Sequence, residues 1–438
     1  MKKIIALVLA LSILALALCS CGSVSKPSET SKREPIEVPP VEQSEKTARG
    51  DLLADYVAQV VSGKETDKKF ISAMLDFSAE LMKNTACEKK ENSLISPLSI
   101  ILALAMTSNG AENETKAQFE DIFGVTTDEV NEYLLYYVKS LQSGDKAKIE
   151  IANSLWFSKD FKADVKEDFL QTNKNYYDPQ IYEENFFDPA TVGKINGWVK
   201  EHTDGMIEKV IEEINPNTVL ALINALVFDA EWSKQYEDYQ CRTEDFHSYG
   251  GETEQAKMMH GSEGIYLSGK DFTGFEKLYF GGAYKFVAVL PDKGVDVFDF
   301  VKSLDGDKIS KILASRKSCE VLTAMPEFEY DYDIDLIEPL RNMGLEDAFV
   351  PCAADFSGIG GEQGDLYIGQ AIHKTHIELT QAGTRAAAVT YIGIYPTSAG
   401  PDLSKTKTVI LDRPFVYMIV DTANGLPLFM GTVTEIGK

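Results

Sequence analysis

The chain has 438 residues, with 43 Lys and Arg against 68 Asp and Glu, which gives a formal net charge of −25. Nucleic acids and acidic membrane surfaces bind basic patches, so this charge balance argues against either as a partner. With 44% hydrophobic residues, the composition is that of a globular protein and excludes a disordered or collagen-like chain.

The N-terminus has the pattern of a secretory lipoprotein signal. Two lysines follow the initial methionine, and residues 4–18 are apolar apart from one serine. This run is short for a membrane span, and the small Ser20 precedes Cys21 as a lipoprotein signal peptidase requires. We therefore expect residues 1–20 to be removed and Cys21 to carry the lipid. Cys19 is a weaker candidate because a bulky leucine precedes it, and secretion without a lipid is the alternative.

The segment after the signal has the composition of a linker. Residues 22–50 are rich in Ser, Pro, Glu and Lys and nearly lack aliphatic side chains. Such a segment cannot bury a core. We expect residues 21–66 to form a lipidated N-terminus and flexible tether, followed by one folded domain at residues 67–438. This organisation predicts an extracellular protein anchored to the membrane only through its lipid.

Helical patterns come first in the folded part, and strand patterns dominate later. Apolar residues recur at helical spacing over Lys68–Asn84, and Ser96 followed by Pro97 has the pattern of an N-cap and first helical residue. Short apolar stretches predict strands at Ile149–Phe157, Val219–Phe228, Phe286–Leu290, Cys319–Met325, Ile372–Thr380 and Val416–Val420. No repeat or Pro/Gly-rich linker interrupts this part, so the patterns predict one α+β domain built on large sheets.

No common catalytic motif is present. The five histidines are His202, His247, His260, His373 and His376. They do not form the His-Glu-x-x-His pair of zinc proteases, and the chain lacks a nucleophile elbow and a phosphate-binding loop. A triad of distant Ser, His and Asp residues stays open, because it leaves no local signature. We expect no metal and no cofactor.

Four cysteines follow the tether: Cys87, Cys241, Cys319 and Cys352. Their spacing fits no metal-binding knuckle, and a chain of this length does not need disulfides to fold. We expect buried free thiols, with one disulfide at most.

Five short segments occur in a characteristic order: Asn92–Ile100, Asn224–Trp232, Met325–Phe328, Ala354–Ile359 and Leu411–Phe415. Together they resemble the serpin family, and within it the bacterial lipoprotein serpins. The resemblance covers residues 67–438. It implies a single serpin domain with helices packed on large β-sheets and an exposed reactive-centre loop. It also implies a protease inhibitor rather than an enzyme.

The resemblance places the reactive loop at residues 381–408. In inhibitory members this loop is a bait that enters a sheet as a new strand after cleavage. The hinge residues it implies are Gln381, Gly383, Thr384, Arg385, Ala386, Ala387 and Ala388. If Thr384 faces inward, the small residues at 386, 388 and 390 also face inward, and the only charge, on Arg385, faces solvent. Inhibitory members usually carry glutamate at position 381 and often at 385, so Gln381 and Arg385 are departures that favour slower insertion.

Two further groups of residues are implied by the same resemblance. Ser96, Ser99, Asn224 and His373 resemble the polar shutter beneath the sheet that must open. Trp232 resembles the breach tryptophan at the point where insertion begins. The alternative for His373 is a hydrogen-bonded core histidine, and for Trp232 a core aromatic residue.

The resemblance also implies that the scissile bond follows the fifteenth residue counted from the hinge glycine, which would place it between Thr397 and Ser398. Cleavage after Tyr395 or after Ser398 is the alternative, because residues 399–407 look longer than in typical relatives. A threonine before the bond suits the small or medium pocket of an elastase-like serine protease. A cysteine protease is a second possible target.

The sequence thus supports three hypotheses. The first is a surface-tethered suicide inhibitor that traps the acyl-enzyme by loop insertion. The second is a non-inhibitory serpin that is a protease substrate or binds a ligand, and the third is a hydrolase with an unrecognised triad. We expect a monomer that binds no nucleic acid and, because of its acidic charge, no heparin.

Overall fold

The computed structural model describes residues 50–161, 164–215, 218–384 and 406–436, which belong to one compact unit, Thr47–Lys438. Helices in these residues are α1 Lys68–Lys89, α2 Pro97–Ser108, α3 Asn113–Phe123, α4 Thr127–Ser140, α5 Glu167–Tyr176, α6 Ala190–His202, α7 Val297–Lys302, α8 Gly306–Ala314 and α9 Ile337–Asn342. Single 3₁₀ turns occur at Asp238–Gln240, Phe280–Gly282 and Asp347–Phe349. In this part of the chain, we find no helix with the length and apolar character that a membrane crossing requires.

The two helices predicted first along the chain are confirmed. Asp67 caps α1 by accepting a hydrogen bond from the Phe70 N–H at 2.9 Å. Ser96 caps α2, with Pro97 as its first residue. Every residue of α2 is buried. A helix that is apolar all round is stable only inside the core, and α2 contacts both β-sheets of the domain.

The strands are β1 Ser93–Ile95, β2 Ala147–Ser158, β3 Gln180–Glu184, β4 Leu220–Glu231, β5 Cys241–His247, β6 Thr253–Ser268, β7 Phe272–Leu278, β8 Tyr284–Pro291, β9 Lys317–Pro326, β10 Phe328–Asp335, β11 Ile368–Leu379, β12 Gly383–Thr384, β13 Lys407–Ile410, β14 Phe415–Asp421 and β15 Pro427–Val433. In the described residues they form a nine-stranded sheet, β1-β15-β14-β8-β7-β6-β9-β13 with β5 on β6, and a six-stranded sheet, β10-β11-β12-β4-β2-β3. All six predicted strands are present, and the α+β prediction is confirmed.

The six-stranded sheet is incompletely paired at its centre. Strands β11 and β4 pair in parallel only at one end, where Ile368 lies opposite Leu220 and Ala371 lies opposite Leu222. At the other end the short strand β12 lies between them. Between these ends, residues 372–378 of β11 and 223–229 of β4 share no ladder pairs in the described structure. The sheet therefore contains a gap that is closed at both ends.

The segment before α1 contacts the folded body. Leu53 is fully buried, and the Leu52 N–H donates to the Ile181 carbonyl at 2.7 Å. Asp51 accepts a hydrogen bond from the Ile181 N–H at 2.9 Å, and Lys64 pairs with Glu129 at 3.1 Å. Residues 51–64 therefore already contact the folded body, ahead of residue 67, where the sequence analysis begins the folded domain.

Candidate functional site at the hinge and central sheet

The hinge begins as a tight hairpin between β11 and β12. Thr384 pairs with Leu379 of β11, and the Thr380 N–H donates to the Gly383 carbonyl at 2.9 Å. On the other side, Gly383 and Thr384 pair with Glu231 and Ala230 of β4. Gly383 and Thr384 therefore already lie in the gap as a central strand. The hinge residues Arg385, Ala386, Ala387 and Ala388, the bond Thr397–Ser398 and the lipidation residue Cys21 lie outside the described residues.

Close packing explains why these two positions carry Gly and Thr. A Cβ on Gly383 would lie 2.1 Å from the Ala230 carbonyl oxygen, which is backbone and cannot move aside cheaply. Thr384 is buried, and its hydroxyl lies 2.6 Å from the Tyr279 hydroxyl. Burial raises the pKa of Tyr279 well above its ordinary value, so this phenol stays protonated and can donate to Thr384. Position 383 therefore has room only for a small residue, and position 384 suits a short side chain that can form a hydrogen bond.

Trp232 holds the hairpin turn. Its indole Nε1 donates to the Thr380 carbonyl at 2.9 Å, and its backbone N–H donates to the Ala382 carbonyl at 2.8 Å. The ring is buried and stacks on Tyr279 with centroids 4.4 Å apart. The structure therefore places Trp232 directly against the hinge, the position that the resemblance implied for a breach residue.

A polar cluster surrounds Gln381 at the turn. Its side-chain oxygen accepts from Lys257 Nζ at 2.9 Å, and its amide nitrogen donates to Asp238 Oδ1 at 3.1 Å. Glu327 Oε1 accepts the Gln381 N–H at 3.1 Å and lies 3.0 Å from Lys257 Nζ. Partial burial opposes the charge on Lys257, but the hydrogen bond with Glu327 together with the negative charges of Glu327 and Asp238 outweighs burial and raises the pKa of the ammonium.

The sequence analysis assigned no role to Lys257, Asp238 or Glu327. Glu327 lies in one of the segments that carry the resemblance, and no local pattern marks the other two residues. They lie 124, 143 and 54 residues from Gln381 along the chain, so only the tertiary fold brings them to the hinge.

Three of the four expected shutter residues lie together. His373 of β11 is buried, and its Nε2 accepts the Ser96 N–H at 3.1 Å. The Ser96 hydroxyl donates to the Leu428 carbonyl at 2.9 Å and accepts the Ser99 N–H at 3.3 Å. Asn224 lies in β4 opposite Asn153, but its side chain is outside the described residues.

Burial lowers the pKa of His373 to about 3, so the ring is neutral at physiological pH. The adjoining cavity of about 20 Å³ has room for one water molecule. This cluster therefore ties β11 to the start of α2 through neutral hydrogen bonds, close to the end of the gap where β11 pairs with β4.

The four cysteines in the described residues are free thiols. The expectation of burial is wrong for Cys352, which is exposed, and the other three are only partly buried. Cys241 Sγ lies 3.6 Å from the Gln381 side-chain oxygen. Among the residues that the structure describes, no group of His, Cys, Asp or Glu has a metal-binding arrangement.

Comparisons with known proteins agree with this geometry. A family model described as Serpin (serine protease inhibitor) matches residues 72–436. The native-state crystal structure of the thermophilic serpin tengpin matches with a TM-score of 0.83 at 41% identity, covering 88% of this chain and 99% of that chain. An uncharacterised serpin-like protein of Thermococcus kodakarensis is 31% identical, with 83% of this chain and 85% of the relative covered. Alpha-1-antiproteinase of Rattus norvegicus is 28% identical, with 84% and 90% covered. The chain therefore belongs to the serpin family, a family of serine protease inhibitors rather than of enzymes.

Proposed function

We propose that this protein is a secreted, surface-tethered suicide inhibitor of elastase-like serine proteases. The observation that carries the proposal is the position of Gly383 and Thr384 between β11 and β4, at one end of the unpaired gap. A loop that is cleaved beyond Thr384 can extend the same strand without changing its register. For the strand to insert fully, the pairing of β11 with β4 at Ile368–Ala371, which closes the other end of the gap, must then break.

The chemistry is an interrupted peptide hydrolysis. The protease serine hydroxyl attacks the Thr397 carbonyl, the bond to Ser398 breaks, and the new amine leaves with a proton while the ester remains. Fourteen residues of inserted strand at ~3.3 Å each span about 46 Å, so the bound protease would be carried along the sheet before water completes the reaction. Distortion of the protease oxyanion hole would then preserve the ester.

The target class follows from Thr397. A β-branched, uncharged residue before the bond suits an elastase-like pocket, whereas a trypsin-like protease requires Arg or Lys at this position. The acidic charge of −25 argues against acceleration by heparin-like polyanions. The signal pattern at residues 1–20 and the lipidation pattern at Cys21 support anchoring at the cell surface through the tether expected at residues 21–66.

A direct test uses a variant that lacks residues 1–46, which preserves the compact unit. Mixed with an elastase-like serine protease, it should form a product of summed mass that survives denaturing electrophoresis. Mass spectrometry should show a released peptide that begins at Ser398. Cleavage in the loop while the protease stays active would instead support the non-inhibitory alternative. A Thr397→Arg variant is the specificity control, because it should move trapping to trypsin-like proteases.

Arg385 has a specific expected role during insertion. Continuing the antiparallel register from Thr384 brings residue 385 opposite Glu378 of β11 and Asp229 of β4. Both carboxylates are partly exposed, on the solvent face that alternation predicts for residue 385. An arginine here would gain two cross-strand ion pairs, each contributing on the order of 0.5 kcal/mol. Arginine at position 385, where inhibitory members often carry glutamate, therefore complements the acidic residues of the neighbouring strands.

We predict that Arg385→Glu raises the amount of inhibitor consumed per protease trapped by about tenfold, because like charges would meet on both sides of the inserting strand. The measurement is a titration of residual protease activity against inhibitor. Arg385→Ala is the matched control and should cause a smaller increase, since it removes the attraction without adding repulsion. Equal behaviour of the two variants would contradict the charge argument.

A further inference from the structure

We propose that Lys257 is a positioning residue for the hinge, and that it increases the fraction of cleaved inhibitor that traps protease. This inference rests on the proposed inhibitory function and concerns how insertion starts. The Lys257 side chain contacts both the Gln381 amide oxygen, at 2.9 Å, and Glu327, at 3.0 Å. Lys257 lies on β6 of the nine-stranded sheet, so these contacts join that sheet to the hairpin of the six-stranded sheet.

The hairpin turn is the nucleus from which insertion must extend. Thr384 is the last described residue of the inserted strand, and it is held by one ladder pair on each side. A turn that frays would lose this register, and the loop would have to find it again before each new pair forms. Pinning the turn reduces the number of conformations that the cleaved loop must search. Faster insertion then favours trapping over hydrolysis of the acyl-enzyme.

The cluster also explains why glutamine stands at position 381. The amide oxygen faces the Lys257 cation, while the amide nitrogen donates to Asp238 at 3.1 Å. A glutamate would keep the first contact but place a second carboxylate against Asp238, beside Glu327. Glutamate, the residue usual in inhibitory relatives, should therefore loosen the hinge in this chain rather than tighten it.

Cys241 supplies a local measurement of the turn. Its Sγ lies 3.6 Å from the Gln381 side-chain oxygen and 3.8 Å from the Glu237 carbonyl. If Gln381 moves away, this thiol becomes more accessible to an alkylating reagent. Cys319 lies on β9, away from this cluster, and serves as the internal reference. Removing the Lys257 cation would by itself raise the pKa of the Cys241 thiol and slow alkylation, so a faster rate would report exposure.

The experiment compares the mature wild-type chain with Lys257→Met and Lys257→Arg. Cys241 and Cys319 are first labelled with iodoacetamide in the absence of the target protease, and the extent of labelling is measured by peptide mass spectrometry. The ratio of cleaved to trapped inhibitor is then measured with an elastase-like protease. We expect Lys257→Met to raise both the Cys241 labelling rate and the ratio by about threefold to tenfold, the range for losing one hydrogen bond of ordinary net strength. Cys319 labelling should not change, and Lys257→Arg should largely restore both values.

Gln381→Glu is the second variant, with the double change Gln381→Glu and Asp238→Asn as its control. The single change should behave like Lys257→Met, and the double change should recover because the carboxylate repulsion is gone. An unchanged Cys241 rate or an unchanged cleaved-to-trapped ratio in Lys257→Met would overturn the proposal, and so would a gain of trapping in Gln381→Glu. If the wild-type chain traps no protease, the proposed function fails, and Cys241 labelling alone decides whether Lys257 positions the turn.

Discussion

Replacing Thr384 with arginine should convert the protein from an inhibitor into a substrate. Thr384 is 4% exposed and hydrogen-bonded to Tyr279, between Leu379 and Ala230. A guanidinium at this site would be buried without a carboxylate partner, which costs several kcal/mol. Because position 384 already lies in the gap before cleavage, the arginine should first expel this residue from the sheet. Returning it during insertion would then cost about 4 kcal/mol and slow insertion by about a thousandfold, so water would complete the hydrolysis first. Denaturing electrophoresis should show cleaved inhibitor and no covalent product.

Thr384→Ser is the matched control for this change. Serine keeps the hydroxyl that meets Tyr279 and is no larger than threonine, so trapping should continue at close to the wild-type ratio. A covalent product from Thr384→Arg in the wild-type amount would mean that the loop does not enter the gap through this position. Cleavage of both variants by the protease would show that the bait itself remains accessible.

Acidification should destabilise the protein through His373. An unfolded histidine has a pKa near 6.5, whereas burial lowers the pKa of His373 to about 3 in the folded chain. Above about pH 6.5 the ring is neutral in both states. Below it the unfolded chain binds a proton that the folded chain excludes, so stability falls as the pH drops from about 6.5 towards 3. The total loss is on the order of 5 kcal/mol.

The measurement is the urea unfolding midpoint of wild type and His373→Gln at several pH values from 7.5 to 4. Carboxylates also titrate in this range, so the difference between the two pH profiles isolates the histidine. His376→Gln is the control, because His376 lies on the opposite face of β11 and pairs with Asp331 at 2.9 Å. Parallel profiles for wild type and His373→Gln would show that the ring is hydrated or paired in the folded protein.

Local signals in the sequence determined two of the helices and six of the strands described here, and the ordered segments that resemble the serpin family pointed to the candidate site. Helix α2 begins at Pro97 because a serine and a proline in that order cap a helix whatever surrounds them. The predicted strands were found because β-branched, apolar runs are suited to sheets buried on both faces. The alternation argument started from an inward-facing Thr384, and this residue is buried in the structure. The ordered segments also carried the family resemblance, which the family model supports independently.

The tertiary structure alone decided how the hinge is held and what lies beside it. Gln381 is a departure from the family when considered in sequence, yet the fold surrounds it with Lys257 and Asp238. No spacing rule could have predicted these contacts, because they join residues up to 143 positions apart whose types are ordinary on any charged surface. The packing of residues 50–66 on the body was likewise invisible in their composition. Contacts of this kind depend on which strands become neighbours, and that is set by burial of the whole core rather than by any local pattern.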